Sequence, residues 1–98
     1  MQQISISELK KKLEDGEDIQ LVDVRETWEH ELFNIGGLLI PLGSIIDGME
    51  KIDRIRPVVF YCQKGIRSQI AIQRLELKMQ TDNFINLQGG MDAWMKES

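Results

Sequence analysis

PVVFYCQKGIRS, residues 57–68, joins an apolar run to a short loop holding one glycine, and then to an arginine and a serine. VVFYC is continuous and rich in β-branched and aromatic residues, as in a strand covered on both faces. From Arg67 to Met79 apolar residues fall at Ile72, Leu75 and Met79, with Ala71, Ile70 and Leu77 widening the stripe. That spacing predicts a helix. The stretch therefore reads strand, loop, helix, and the only cysteine of the chain, Cys62, stands where the strand ends.

Working outward, IQLVDV (19–24) predicts a second apolar strand that runs into charge at Arg25 and Glu26. Ile4 and Ile6 alternate with polar residues, which predicts a very short first strand. Ser5 followed by Glu8 is a capping-box spacing and predicts a helix through Leu9 and Leu13, which Asp15-Gly16 breaks. ETWEHELF (26–33) predicts a short helix with Trp28 and Leu32 on one face. LLIPL (38–42) predicts a strand that ends, or lies at an edge, at Pro41. Ser44 predicts the cap of a helix carrying Ile45, Met49 and Ile52. FINL (84–87) predicts the last strand, and Gly89-Gly90 opens a closing helix that buries Met91 and Trp94. Alternation of strands and helices over short connections argues an α/β fold, a small, mostly parallel five-stranded sheet with helices on both faces.

The chain has 98 residues, 42% hydrophobic content and a formal net charge of −4. This is one domain, residues 1–98, with enough apolar mass for one core. The acidic balance argues against a nucleic-acid or membrane-surface binder. No apolar stretch approaches the roughly 20 residues that span a bilayer, and the N-terminus has no signal-peptide pattern. A lone cysteine forms no internal disulfide, and with one histidine it makes no structural zinc site. A cytoplasmic setting is expected.

Cys62 has two readings. A cysteine after four apolar residues is ordinarily packing material. A packed thiol, however, needs no cationic glycine loop behind it. Ligands in parallel α/β folds gather at the carboxyl ends of strands, where helix N-termini point. If the loop curls, its amides and those of the first helical turn converge on the sulfur, which favours the thiolate. Gly65 then permits a positive φ or a close backbone approach.

The spacing Cys-x-x-Gly-x-Arg-Ser, Cys62 to Ser68, resembles the signature loop of rhodanese-like sulfurtransferase domains. The resemblance continues in LVDVRE (21–26), in NIGGLLIPL (34–42) and in NLQGGMDAW (86–94), in the family's order. Asn34 stands where the family usually has histidine, and Gly36 where it has proline. That variant is similar to the rhodanese-like domains fused behind adenylyltransferases of the molybdopterin and thiamine sulfur pathways, in which case the chain would be cut from a longer protein.

The resemblance implies transfer of a sulfane sulfur through a Cys62 persulfide. The donor is expected to be thiosulfate or another persulfide, and the acceptor cyanide, a thiol or a sulfur-carrier protein. A cysteine desulfurase is a further expected partner; nucleic acid and membrane are not. Amides from Gln63, Lys64, Gly65, Ile66 and Ser68 are expected to hold the substrate sulfur, with no metal or organic cofactor. Cysteine phosphatases use five residues between Cys and Arg; here four separate Cys62 from Arg67, a smaller loop suited to one sulfur atom. Arg67 reads either as catalytic or as the partner of a nearby carboxylate. Lys64 reads as solvated or as a contact for an anionic donor. Asp23 and Arg25 are expected to form a buried structural pair beneath the loop, His30 to lie on the surface, Trp28 and Trp94 to pack in the core, and Lys10–Lys12 to be solvated. The competing function is a non-enzymatic protein-binding or sulfur-relay module.

Overall fold

Val58–Tyr61 is the middle strand of the sheet, and all four of its residues are buried. The computed structural model describes residues 1–97. In chain order the elements are β1 (Gln2–Ile4), α1 (Ile6–Glu14), β2 (Gln20–Asp23), α2 (Thr27–Leu32), β3 (Leu38–Leu39), β4 (Val58–Tyr61), α3 (Arg67–Glu76), β5 (Phe84–Leu87) and α4 (Gly90–Lys96). The strands lie in the order β1-β5-β4-β2-β3, and every pair is parallel.

Alternation along β4 divides the core in two, because successive side chains leave a strand on opposite faces. Val58, Phe60 and then Cys62 point to one face, where they pack with Ala71, Ile72 and Leu75 of α3. Val59 and Tyr61 point to the other, against Ile6 and Leu9 of α1 and Met91 of α4. The period of two thus delivers the thiol to the α3 side. From β2 the chain goes on to β3 at one flank, and from β4 it goes on to β5 at the other. The connections after β2 and β4 therefore diverge, and the crevice between their carboxyl ends is where such a sheet accepts a ligand.

Local chemistry accounts for most boundaries. The capping box opens α1 as expected: Ser5 Oγ accepts from the Glu8 amide at 3.1 Å, and the Ser5 amide donates to Glu8 Oε1 at 3.1 Å. Ile6 falls in that helix rather than in a strand, since the cap at Ser5 ends β1. The helix expected after Ser44 does not form. Two single 3-10 turns, Leu42–Ser44 and Met49–Lys51, replace it, because Asp47-Gly48 interrupts the run and a side chain at Gly48 would meet Ile40 Cγ2 at 2.8 Å. Ile45 and Ile52 are buried all the same. α3 stops at Glu76, so Leu77 is exposed while Met79 turns back under it. Trp28 is exposed (64%), not core, and Trp94 is half-buried with Lys10 Nζ 4.7 Å from its ring.

α4 closes the fold by donating its first free amides to the end of β4. The Met91 amide bonds the Cys62 carbonyl, and the Asp92 amide the Gln63 carbonyl, each at 2.9 Å. This contact needs glycine at 90, where φ is +56° and an added Cβ would sit 2.2 Å from the Cys62 carbonyl oxygen. Gly90→Ala should therefore lower stability by about 2–4 kcal/mol, through left-handed strain and the displaced loop together. Urea unfolding measures it, and a loss under 0.5 kcal/mol would contradict the close approach.

Candidate active site

The Cys62 side chain is 1% exposed, yet its sulfur is surrounded by donors. The Gly65 amide donates to Sγ at 3.1 Å and the Ser68 amide at 3.4 Å, with Ser68 Oγ also at 3.4 Å. Gly65 has φ +90°, and a Cβ there would meet the Gly89 amide nitrogen at 3.0 Å. The loop can turn back onto its own cysteine only at such a residue. Ser68 lies in the first turn of α3, so its amide has no helical acceptor and is free to serve the sulfur. Among the described residues the amides of Lys64, Ile66 and Arg67 also meet no acceptor in the protein.

The Ser68 hydroxyl donates to Asn86 Oδ1, and Asn86 Nδ2 in turn donates to Gln3 Oε1 at 2.8 Å. With its single proton committed to Asn86, the hydroxyl oxygen is left to accept from a Cys62 thiol. Rotation of that one O–H bond turns the same group into a donor for a thiolate.

Beneath the loop, Asp23 and Arg25 form the expected pair, both buried, with Nη2 to Oδ2 at 2.9 Å and Nε to Oδ1 at 3.0 Å. Arg25 Nη1 reaches up to Gln63 Oε1 at 3.0 Å, and Gln63 Nε2 donates to Asp92 Oδ1 at 2.7 Å. His30 is not a surface residue: it is half-buried, with Nδ1 2.8 Å from Asp23 Oδ2. The short α2 folds back over the end of β2 and brings it there. Asn34, at the family's histidine position, holds the turn that follows, bonding the His30 carbonyl and the Gly36 amide at 2.9 Å each. The Tyr61 hydroxyl donates to the Gly36 carbonyl at 2.9 Å, and burial pushes its ionisation above the usual phenol range.

Arg67 takes the carboxylate reading as far as contacts go. Its Nη1 and Nη2 donate to Glu29 Oε1 and Oε2 at 2.7 and 2.8 Å. Those two bonds lead the forces that hold the Glu29 carboxyl down to about 2, and they raise the guanidinium above its ordinary value. Glu29, Cys62, Gln63, Lys64, Ile66 and Arg67 line a pocket of about 270 Å³ at the thiol. A second groove of about 470 Å³ adjoins it through Glu29 and Gln63, walled by Trp28, Leu32, Phe33, Met91 and Met95.

Of the residues singled out in sequence, Gly65 and Ser68 touch the sulfur, while Gln63, Lys64, Ile66 and Arg67 border the opening. Glu29, Asn86 and Asp92 were not singled out for the site. Glu29 stands in the short helix predicted over 26–33, but nothing in the chain marks it as the partner of Arg67. Asn86 is a polar residue inside an apolar strand, and that was the available signal.

A rhodanese-like domain model matches residues 5–97. The chain belongs to the rhodanese-like family. A sulfurtransferase of Allochromatium vinosum is 35% identical over 95 residues, covering 96% of this chain and 88% of that protein. The adenylyltransferase and sulfurtransferase MOCS3 of Drosophila grimshawi is 30% identical over 104 residues, covering 98% of this chain but 23% of that protein. Two adenylyltransferase/sulfurtransferase relatives of Mycobacterium tuberculosis, 33% identical, are likewise longer, this chain spanning 24% of their length. Among solved structures, a rhodanese-like domain protein of Staphylococcus aureus superposes with a TM-score of 0.85 at 32% identity, over 96% of this chain and 91% of that one. No helix among the described residues is long and apolar enough to cross a membrane, and none of their His, Cys, Asp and Glu side chains form a cluster of three suited to a metal.

The Glu29–Arg67 pair of this rhodanese-like domain has a pH signature. Because the folded Glu29 carboxyl lies at about 2 against an ordinary 4.5, its contribution to stability is whole above 4.5 and is lost as pH falls towards 2. Glu29→Gln should therefore lose stability less steeply than the native protein over that window, as read from urea midpoints.

Proposed function

We propose that this rhodanese-like domain is a sulfurtransferase that carries a sulfane sulfur on Cys62. The observation that carries the reading is the pair of backbone donors on Sγ, from Gly65 and Ser68. Donors converging on a buried sulfur serve a charged sulfur, since a packed thiol needs none. The thiolate attacks the outer sulfur of a persulfide or of thiosulfate. A new S–S bond forms to Cys62, the donor's S–S bond breaks, and its electron pair leaves with the donor thiolate or with sulfite. The product is Cys62–S–S⁻. The amides of Lys64, Ile66 and Arg67 meet no acceptor among the described residues and are available to that outer sulfur. A nucleophilic acceptor such as cyanide or a thiol then takes the outer sulfur and returns the Cys62 thiolate. The step needs no metal or organic cofactor.

A protein acceptor is favoured by a separate observation. Trp28, Leu32, Phe33, Ile66 and Met95 are exposed large apolar side chains around the thiol's opening and the adjoining groove. Such a rim has no role in binding an isolated sulfur donor, and it fits a partner that docks to receive the sulfur. The relay reading and the sulfurtransferase reading then describe one site, with a sulfur-carrier protein as acceptor.

Incubation with 2-hydroxyethyl persulfide should add the mass of one sulfur atom to the intact protein. Cyanide should remove it, with thiocyanate as product, and Cys62→Ser should gain nothing. Absence of the adduct in native protein, or its presence in Cys62→Ser, would overturn the assignment.

A further inference from the structure

The guanidinium that borders the thiol's pocket carries no free charge. Arg67 engages both oxygens of Glu29, and the Glu29 side chain is 11% exposed. Glu29 is itself fixed, since its Oε1 also accepts from the Glu26 amide at 3.0 Å and closes the cap of α2. Arg67 is therefore held by a carboxylate that is braced from behind. Among the described residues that line the pocket, Lys64 is the one cation without a carboxylate partner, and its side chain is exposed. The pocket's side chains thus carry a net single positive charge: Lys64 and Arg67 against Glu29.

We infer that Glu29 is a positioning residue that sets the donor preference of Cys62, disfavouring small dianionic donors such as thiosulfate relative to persulfides carried on an uncharged body. The inference rests on the proposed role of Cys62 as sulfur acceptor. Both donors react by the same exchange. Thiosulfate and the Cys62 thiolate give Cys62–S–S⁻ and sulfite, and a persulfide R–S–S–H and the thiolate give Cys62–S–S–H and R–S⁻. Charge and atoms balance in each. The two differ in what the pocket must accommodate before reaction. Thiosulfate brings two negative charges to a site where the Cys62 thiolate already offsets the one unpaired cation, Lys64, and a persulfide on an uncharged body brings at most one, on the sulfur that is transferred. Neutralising Glu29 raises the net charge beside the sulfur by one unit and frees the Arg67 fork for a sulfonate, a geometry that guanidinium matches.

The test measures single-turnover loading of Cys62 by intact mass, over a concentration series of thiosulfate and of 2-hydroxyethyl persulfide. Glu29→Gln should lower the half-saturating thiosulfate about tenfold, the scale of one unit charge acting on a dianion across a partly solvated site. The maximal loading rate should change far less, and the thiosulfate-to-persulfide preference should rise severalfold. Adding Arg67→Gln to Glu29→Gln should abolish the gain. Glu29→Asp, which keeps the charge, should retain the native preference. Arg67→Gln alone, which leaves the carboxylate uncompensated, should move half-saturating thiosulfate the opposite way, so the inference is tested even where Glu29→Gln folds poorly. An unchanged preference in both single variants would overturn it. So would a gain that survives in the double variant, or an equal gain in Glu29→Asp. Failure of native protein to load from either donor would instead overturn the role of Cys62, an outcome distinct from loading without preference.

Discussion

The carboxylate of Asp23 has no exposed surface, and a charge in that position is tolerable only when its lone pairs are filled. They are. Its oxygens receive the Arg25 amide and the Arg25 Nε and Nη2 groups, and Oδ2 also meets His30 Nδ1, which must carry its proton because a carboxylate oxygen only accepts. Each of these partners leads somewhere. Arg25 also donates to the Phe33 carbonyl at the end of α2 and to Gln63 in the loop, and stacks near the Tyr61 ring at 5.7 Å. His30 places α2 over the end of β2. One buried charge thus ties the carboxyl ends of β2 and β4 to α2, and removal of either partner would leave the other uncompensated in the interior.

The loop after β4 is held by this assembly from below and by α4 from the side. Gln63 is gripped at both ends of its amide, by Arg25 and by Asp92, while the carbonyls of Cys62 and Gln63 receive the first amides of α4. A carbonyl that faces one way sets the following N–H the other, so these two bonds fix the peptide units that lead into the loop. The turn at Gly65, whose amide meets Sγ, lies against Gly89, and the Gly89-Gly90 pair, distant in sequence from Cys62, belongs to the same device.

Much of this was legible in the chain. The strands were readable because parallel strands buried on both faces appear as mainly apolar runs, continuous at 58–62 and interrupted only by Gln20 and Asp23 at 19–24 and by Asn86 at 84–87. The α1 boundary was readable because a capping box is a local code. Legibility failed where tertiary contacts override local pattern. Trp28 and Leu32 have helical spacing, yet the face they share looks into an open groove rather than a core, and spacing cannot say which. The segment after Ser44 has helical spacing as well, but Gly48 lies against Ile40, a constraint that exists only once β3 is in place. At the site, the loop spacing pointed to Gly65 and Ser68, since both act within a few residues of Cys62. Glu29 and Asn86 act across the fold: a polar residue inside an apolar strand is the one local hint of Asn86, and nothing in the chain pairs Glu29 with Arg67.

The burial of Cys62 has a further bearing on the proposed chemistry. A persulfide can be attacked at either sulfur: attack at the outer atom transfers sulfur, and attack at the inner atom leaves the acceptor bound to the protein as a disulfide. With Sγ enclosed and in contact with the Gly65 and Ser68 amides, the inner sulfur of a persulfide would be open only towards the pocket, the side that the outer sulfur occupies. The outer sulfur would stand about 2 Å further out along the S–S bond, towards the pocket lined by Lys64, Ile66 and Arg67. Enclosure of the inner atom and exposure of the outer one direct attack to the atom that is to be passed on. The apolar packing that makes Cys62 look like an inert core residue in sequence is, on this reading, what keeps transfer from stopping at the mixed disulfide.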